Sequence, residues 1–284
     1  MSDLRLVWVK FSRDKLAFSG FLIVLALLLT AIFAGVLSPY PEDVYRIHPA
    51  ERLRPPSLEH FLGTDSMGRD IFSRVLFGTR VTLVISIIAV GASLLIGVPL
   101  GLIAGYLENW FSELIMRIAD VFLSIPQVIL AIFLAQSIGP SIHGVILALS
   151  ITYWPWFTRI VYAETRSLKK TAFIEATEAL GANSLRTMLL HVTPNVSSPI
   201  IVRSSIGMGF TILTAATLGF LGLGAQPPTP EWGVTIAESR QYLPDAWWYA
   251  TFPGLAIFLV VMGFNMLGDG LRDILDPRLR RGFE

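Results

Sequence analysis

Long stretches without charged residues constrain the fold of this 284-residue chain more than any other feature. A helix needs about 20 mostly apolar residues to cross the roughly 30 Å hydrocarbon core of a bilayer. The clearest stretch, residues 81–106, contains no charged residue. Charged residues make up only 15% of the chain, against about 25% in a typical soluble domain, so little polar sequence remains to cover a soluble core. We therefore predict an all-α integral membrane protein.

Six stretches are long and apolar enough to form transmembrane helices. They cover approximately residues 16–37, 79–106, 114–138, 144–162, 199–223 and 249–267. Pro126 in the third and Pro155 in the fourth are expected to kink these helices, because proline lacks a backbone donor and clashes with the preceding turn. Six crossings place both termini on one side. The excess of Lys and Arg in the segments on that side predicts that it is cytoplasmic.

We divide the chain at residue 78. Residues 1–78 contain the N-terminal segment, the first transmembrane helix and a long polar loop, 38–78, on the side opposite the termini. Residues 79–284 contain the other five transmembrane helices, which form the core of the protein.

The segment between the fourth and fifth spans is too polar to cross a membrane and too regular to be a simple linker. Two stripes of apolar residues recur at helical spacing: Phe173, Ala176 and Leu180, then Leu185, Met188, Leu189 and Val192. Gly181 is expected to end the first helix, Ser184 to cap the second and Pro194 to end it. We predict two short amphipathic helices at 172–193, which either rest on lipid or contact another protein.

The same segment carries a motif. Glu175-Ala176-Thr177 is followed by Gly181 and, further along, by Pro194. This pattern resembles the glutamate-alanine-alanine loop in the permeases of binding-protein-dependent ABC importers. The resemblance implies a cytoplasmic coupling helix between spans 4 and 5 that fits a groove on an ATPase subunit. The residues it implicates in ATPase coupling are Glu175, Ala176, Gly181, Leu185, Met188, Leu189 and Pro194.

Three further stretches resemble the dipeptide, oligopeptide and nickel branch of that family. They are residues 61–74, with their Leu-Gly-Thr-Asp and Gly-Arg-Asp sequences, residues 219–233 and residues 268–278. They occur in the family's order, and together the motifs cover nearly the whole chain. The chain thus resembles the second of the two permease subunits in such systems, which implies the type I ABC importer permease architecture and a place in the bacterial plasma membrane.

The resemblance also implies partners. These are a second homologous permease, two cytoplasmic ATPase subunits that bind ATP and Mg, and a periplasmic or extracellular solute-binding protein. The chain itself is then not an enzyme and needs no cofactor, in keeping with the lack of a nucleotide-binding loop or catalytic triad in its sequence. It has no cysteine, and its four histidines lack the spacing of metal ligands.

The cargo implied by the resemblance is a short peptide, with nickel or glutathione as alternatives in the same class of importer. A different class, the ion-coupled secondary transporters, often has inverted repeats and buried acids. We find no convincing repeat, and Asp120 is the one buried acid that would suit that class.

Polar residues inside the spans are candidates for a transport pathway, because a charge in mid-membrane costs at least about 2.5 kcal/mol. The candidates for the pathway or its gate are Asp120, Gln127 and Gln136. Asp120 could instead form an ion pair with Arg117, three residues earlier. Arg159 and Arg203, near the inner ends of their spans, are expected to anchor the chain at the membrane surface.

The loop before the second span contains regularly spaced charges. Asp65, Arg69 and Asp70 are candidates for docking the solute-binding protein or gating the outer mouth. The alternative is that these residues and Arg74 form ion pairs on the surface at i, i+4 spacing.

Overall fold

The computed structural model describes residues 11–12 and 14–275, and this part of the chain is helical, without β-strands. Its α-helices are α1 (Lys15–Leu37), α2 (Ile71–Leu107), α3 (Trp110–Ser124), α4 (Gln127–Ile138), α5 (Ile142–Lys169), α6 (Ala172–Ala179), α7 (Ser184–Thr187), α8 (Thr193–Asn195), α9 (Ser197–Phe220), α10 (Trp232–Ser239) and α11 (Trp247–Leu275). A π-helical stretch, Met188–Val192, joins α7 to α8, and short 3-10 turns cover Pro49–Glu51 and Arg240–Tyr242. The predicted all-α class is confirmed.

Five of these helices are each long and apolar enough to cross a membrane: α1, α2, α5, α9 and α11. The pair α3 and α4 makes a sixth candidate, bent by 91° between its two halves. Pro126 causes the break, because it lacks a backbone donor and forces Ile125 before it into an extended conformation (ψ 131°). Pro155, in contrast, lies inside the uninterrupted helix α5. Five of the six predicted spans are confirmed as single helices of sufficient length, and the predicted third span corresponds to the bent pair.

The broken pair runs from one side of the helix bundle to the other. Lys169 at the end of α5 donates a 2.7 Å hydrogen bond to the carbonyl of Tyr106 at the end of α2. These two helix ends therefore lie on the same side of the bundle. Because α3 begins just after α2 and α4 ends just before α5, the chain must pass to the other side between residues 110 and 138.

The two ends of the described chain also share a side. Ala17 at the start of α1 packs directly against Gly270 of α11. The hydroxyl of Ser198 at the start of α9 donates to the carbonyl of Leu275 at 3.3 Å. We name this the terminal side. The opposite side carries residues 38–70 and 221–246, which we name the polar cap.

Helix α2 begins eight residues before the predicted start of the second span. The Asp70 side chain caps it by accepting from the backbone N–H of Ser73 at 2.8 Å. At 1.5 Å per residue, the helix of 37 residues is about 55 Å long, well beyond the thickness of the hydrocarbon core. Its first two turns therefore belong to the polar cap side, and the predicted loop 38–78 ends at Asp70. The proposed division at residue 78 stays a prediction, and α2 runs through it as one helix.

Glycines bring α2 and α5 into backbone contact. Gly97, Gly101 and Gly105 are spaced at i, i+4 along α2 and face α5. A Cβ at any of them would lie 2.6–2.8 Å from atoms of α5. Only glycine permits this approach, so these positions fix the distance between the two helices.

The two largest apolar clusters among the described residues lie within the bundle. One joins α2, α4, α5 and α9 through residues such as Ile85, Ala131, Leu149 and Leu218. The other joins α1, α2, α9, α10 and α11 through residues such as Leu27, Leu83, Ile212 and Phe264. Helices α2 and α9 contribute to both clusters and so connect the two halves of the bundle.

Candidate coupling segment and pathway face

Residues 172–195 form a helical hairpin on the terminal side, which we name the hairpin segment. Its first helix, α6, is terminated by Gly181, which lies two residues after the last helical residue. Gly181 has a φ of +86°, which favours glycine. The N–H of Ala182 donates to the carbonyl of Thr177, and that of Gly181 donates to the carbonyl of Glu178. This is the Schellman pattern of helix termination, as predicted for Gly181.

The second half of the hairpin segment differs from the sequence prediction in two ways. Its cap is Asn183, one residue before Ser184, and the Asn183 side chain accepts from the N–H of Arg186 at 2.8 Å. Pro194 does not end the helix, which continues to Asn195. A π-helical stretch precedes the proline, with Thr193 N–H bonded to the Met188 carbonyl five residues back. The wider turn fits the proline because that residue has no N–H to place in the α-helical pattern.

One side of the hairpin segment is anchored in the bundle. Ile174 and Val192 are fully buried and pack with Leu102, Tyr106 and Val161 at the terminal ends of α2 and α5. The Tyr106 hydroxyl also donates to Glu178 at 2.5 Å. Val192 thus belongs to this buried side, although the sequence grouped it with Leu185 and Leu189. Met188 is half-buried beside the same cluster.

The other side of the hairpin segment is apolar and uncovered. Leu185 and Leu189 are 62% and 55% exposed. Further large apolar residues that are exposed in the same segment are Phe173, Leu180 and Leu190. Glu175 and Ala176 are exposed among them. The Glu175 carboxylate has no hydrogen bond or ion pair with any described residue, so it is free to contact another protein.

A second feature lies on the transmembrane helices themselves. Asp120 of α3 forms an ion pair with Arg159 of α5. Arg117 does not take part, so the predicted pair within α3 is wrong. The two partners are 38% and 50% exposed, although both lie within candidate spans. Arg159 thus pairs with a residue of another helix, and its expected role as an anchor at the membrane surface stays a prediction.

Polar and aromatic groups continue this surface. Gln127, the first residue of α4, accepts a hydrogen bond from the indole N–H of Trp156 at 3.2 Å. The guanidinium of Arg203 on α9 lies 4.5 Å from the Trp156 ring centroid and 5.7 Å from that of Tyr153. We name the set Asp120, Gln127, Trp156, Arg159 and Arg203 the pathway face.

Two predicted pathway residues lie on this face and one does not. Gln136 is nine residues after Gln127, which places it on the opposite side of α4 at 100° per residue. It is exposed there and has no side-chain hydrogen bond to a described residue. Sequence reasoning missed the role of Trp156. Its spacing of three residues from Arg159 was the available signal, because such residues share a helix face.

The charged residues of the polar cap are buried. Asp65, Arg69 and Asp70 are each at most 3% exposed. Asp65 accepts from the Arg69 side chain at 2.6 Å and lies 3.5 Å from Arg74, and Arg69 also contacts Glu238 at 3.3 Å. A soluble partner could not reach these side chains. The expected i, i+4 ion pair between Asp65 and Arg69 is present, but it is buried and not on the surface. The cluster instead links the segment 38–70 to α10 and α11, since Glu238 also accepts from the Tyr249 hydroxyl at 2.8 Å.

A further acidic residue, Glu231, caps α10. Its carboxylate oxygens accept from the N–H groups of Gly233 and Val234 at 2.9 and 2.8 Å, and the residue is 3% exposed. Burial raises the pKa of Glu231 to about 7, and the backbone donors partly oppose this shift. The fold therefore holds a proton here more tightly than an unfolded chain would.

This raised pKa predicts that stability falls as pH rises. Between the ordinary pKa of 4.5 and about 7, the folded state binds more protons at Glu231 than the unfolded state, so the free energy of unfolding declines by up to about 3 kcal/mol. We expect the melting temperature of the wild type to fall relative to Glu231→Gln as pH rises from 5 to 8. Thermal unfolding in detergent, followed by tryptophan fluorescence, measures this difference. A difference that stays constant with pH would contradict the assignment.

The described residues contain no group of three or more His, Asp or Glu side chains placed to hold a metal ion.

Comparison with known proteins identifies the family. Residues 97–281 match the family described as "binding-protein-dependent transport system inner membrane component", and residues 2–56 match the N-terminal transmembrane domain of oligopeptide transport permease C. The chain is 45% identical to the dipeptide transport system permease DppC of Alkalihalophilus pseudofirmus, over 99% of this chain and 91% of that protein. It is also 45% identical to the glutathione transport system permease GsiD of Pectobacterium atrosepticum, over 96% and 90%.

A solved structure shares the fold. The inward-facing methionine ABC transporter MetNI contains a chain that matches with a TM-score of 0.59 at 18% identity, covering 72% of this chain and 96% of that one. The architecture predicted from the sequence, that of a type I ABC importer permease, is confirmed. This chain belongs to the family of inner membrane components of binding-protein-dependent transport systems, the permeases of ABC importers.

Proposed function

We propose that this chain is the second-type permease of an importer for short peptides, working with a homologous permease, two ATPase subunits and a solute-binding protein. ATP and Mg bind to the ATPases, and this chain carries no catalytic residue. The observation that carries the proposal is the uncovered apolar side of the hairpin segment. The other side of the segment packs against the helix bundle.

The hairpin segment is the docking element for one ATPase subunit. Leu185 and Leu189 offer an apolar surface of the kind that fits into a protein groove, and Glu175 offers a free carboxylate beside it. Gly181 keeps the hairpin tight, and Pro194 keeps the second helix directed toward α9. Because Ile174 and Val192 join the segment to α2 and α5, movement of the ATPase is passed to the transmembrane helices. Closure of the ATPases on ATP then changes which side of the membrane the pathway opens to.

We assign the terminal side to the cytoplasm. Arg166, Lys169, Arg186 and Arg272 lie in the last turns of helices that end on this side or in the hairpin segment itself. Short loops rich in Lys and Arg remain in the cytoplasm during insertion. The polar cap then faces the periplasm or the exterior.

The pathway face lines the route of the solute. Lipid would disfavour charges that are partly or fully exposed within a span, such as those of Asp120, Arg159 and Arg203. A water-filled space between this chain and its partner permease would accommodate them. Gln127 lies at the break in the third span, where freed backbone groups also need water or protein contacts. Gln136, on the opposite side of α4, fits a contact with the partner permease better than the pathway.

The polar cap receives the solute-binding protein. Because Asp65, Arg69 and Asp70 are buried, their role in docking is indirect: they hold the cap in shape. The exposed residues Leu58 and Phe61 are available for the contact itself.

The names of the relatives favour a peptide as cargo. One relative is named as a dipeptide permease and another as a glutathione permease, and glutathione is itself a tripeptide. We therefore keep glutathione as the second candidate. Nickel has less support, because the described part of the chain offers no cluster of metal ligands.

Reconstitution tests this function. The four kinds of subunit are purified together and placed in liposomes, with ATP supplied on the ATPase side. We expect uptake of a labelled dipeptide that depends on ATP and on the binding protein, and competition by excess glutathione or nickel compares the other cargoes. Uptake by this chain alone, driven by an ion gradient and stopped by an ionophore, would instead indicate a secondary transporter.

A further inference from the structure

Arg203 is an arginine without an acidic partner inside a membrane-spanning helix. It lies six residues after the start of α9, about 9 Å along the helix axis from Ser197. Within the described residues it forms no ion pair and donates no side-chain hydrogen bond; the acid of the pathway face, Asp120, is paired with Arg159. The guanidinium therefore carries unused hydrogen-bond donors.

Two aromatic rings hold this guanidinium in place. Trp156 and Tyr153 lie one turn apart on α5, and Arg203 contacts both rings. Tyr153 is only 2% exposed and packs tightly against Gly207, one turn further along α9. Arginine packed on aromatic rings keeps the edge of its planar group free for a carboxylate. The side chain is thus fixed at the wall of the pathway face before any anion arrives.

The charge of the pathway face favours an anion. It contains two arginines and one aspartate, so one positive charge remains without compensation. A carboxylate fits the fork of a guanidinium with two parallel hydrogen bonds. A lipid phosphate is a weaker fit, since Arg203 is held sideways between α5 and α9 rather than extended toward the nearby end of its own helix.

We propose that Arg203 is a specificity-determining residue that binds the carboxylate of the solute as it passes along the pathway face. The inference rests on the proposed function, because it requires the solute to move along this surface. It adds a second selection step to that of the binding protein: the permease itself favours solutes with a free carboxylate.

The experiment uses the complete reconstituted importer and two substrates, a dipeptide and the same dipeptide with an amidated C-terminus. Both are supplied at concentrations that saturate the binding protein, so that its preference is the same for every permease variant. We expect Arg203→Gln to lower the ratio of dipeptide uptake to amide uptake by about tenfold relative to wild type, the size expected for a lost charged hydrogen bond. Uptake of the amide should remain near the wild-type value.

Two further variants complete the test. Arg203→Lys keeps the charge but loses the planar group, so its ratio should lie between those of the wild type and Arg203→Gln. Arg272→Gln is the matched control, because Arg272 is an exposed arginine near the terminal end of another span, and its ratio should be unchanged. Co-purification with the partner subunits shows whether each variant assembles.

Three results would overturn the inference. Equal loss of both substrates in Arg203→Gln and Arg203→Lys would mean that Arg203 supports the structure or pairs with the partner permease. An effect seen only in liposomes with anionic lipid would mean that it binds a phosphate headgroup. Absence of uptake of both substrates by the wild type would overturn the proposed function and this inference together, whereas wild-type uptake with equal losses overturns the inference alone.

Discussion

Replacing Leu185 and Leu189 together with aspartate is expected to reduce ATP-driven uptake to background. Both side chains are more than half exposed in the isolated chain, so the change leaves the bundle intact. Each leucine that becomes buried on an ATPase surface contributes about 1.5–3 kcal/mol, and an unpaired charge in its place adds a desolvation cost. The combined loss weakens ATPase binding by at least about a hundredfold. Co-purification of the ATPase and uptake in liposomes measure the effect.

Charge reversal at Glu175 is the companion test. Glu175→Arg changes an exposed group that no other described residue contacts, so we expect normal insertion but no stimulation of ATPase activity by the loaded binding protein. Asp273→Arg provides the matched control, because Asp273 is also exposed at the terminal side but lies outside the hairpin segment.

Gly181→Trp should also uncouple transport, since a side chain at positive φ disturbs the turn between α6 and α7.

The buried side of the same segment gives the opposite result. Val192→Asp introduces a charge into a fully buried cluster, so we expect loss of the folded chain rather than loss of coupling alone. If the exposed leucine variants and Val192→Asp behaved alike, the two-sided description of the hairpin segment would be wrong. Normal coupling in both the leucine and Glu175 variants would remove its role in ATPase docking.

The second large effect is expected in the polar cap. Asp65→Asn should lower the free energy of unfolding by about 3–5 kcal/mol, because removing one partner of a buried ion pair leaves the other charge without compensation. Here Arg74 is left without an ion pair to any described residue, and Arg69 keeps only Glu238 at 3.3 Å; both arginines are buried. The asparagine oxygen can still accept a hydrogen bond from the backbone N–H of Arg69. The measured loss in the free energy of unfolding therefore comes mainly from the missing charge. Thermal unfolding in detergent gives the magnitude.

A surface pair in the same segment supplies the control. Glu42 and Arg46 have the same i, i+4 spacing and lie 2.5 Å apart, but both side chains are about two-thirds exposed. Glu42→Gln should cost less than about 1 kcal/mol, because surface ion pairs contribute little. Equal losses of stability from the two substitutions would mean that the charges of the Asp65 cluster are screened by solvent, like those of a surface pair.

The sequence predicted the spans well because their signal is local. Length and hydropathy identify a helix that must cross a membrane, and Pro126 acts on its own neighbours. The same holds for Gly181, whose turn depends on the residues beside it. The start of α2 was missed because the charges of residues 65–74 resemble a loop unless their burial is known.

Contacts between helices could not be predicted in this way. Arg117, on the same helix, was the one ion-pair partner that the sequence suggested for Asp120, because spacing reveals only neighbours along one helix. Arg159, the actual partner, comes close through the packing of α3 on α5. The orientation of Val192 was missed for a similar reason: an apolar stripe shows which residues share a face, but not how much of that face the bundle covers.

The glycine contact between α2 and α5 has a mechanical consequence. Two helices whose backbones touch along three successive turns resist bending and sliding as a single stiff rod. The hairpin segment is fixed to the end of that rod by Ile174 and Val192, so a displacement of the hairpin segment would move α2 and α5 together. The junction at Ile125-Pro126 lacks such a contact, since the helical hydrogen-bond pattern is interrupted there. A larger side chain at Gly101 would push the two helices apart, because a Cβ there lies 2.7 Å from Val161 of α5, and the hairpin segment would then no longer move with both of them.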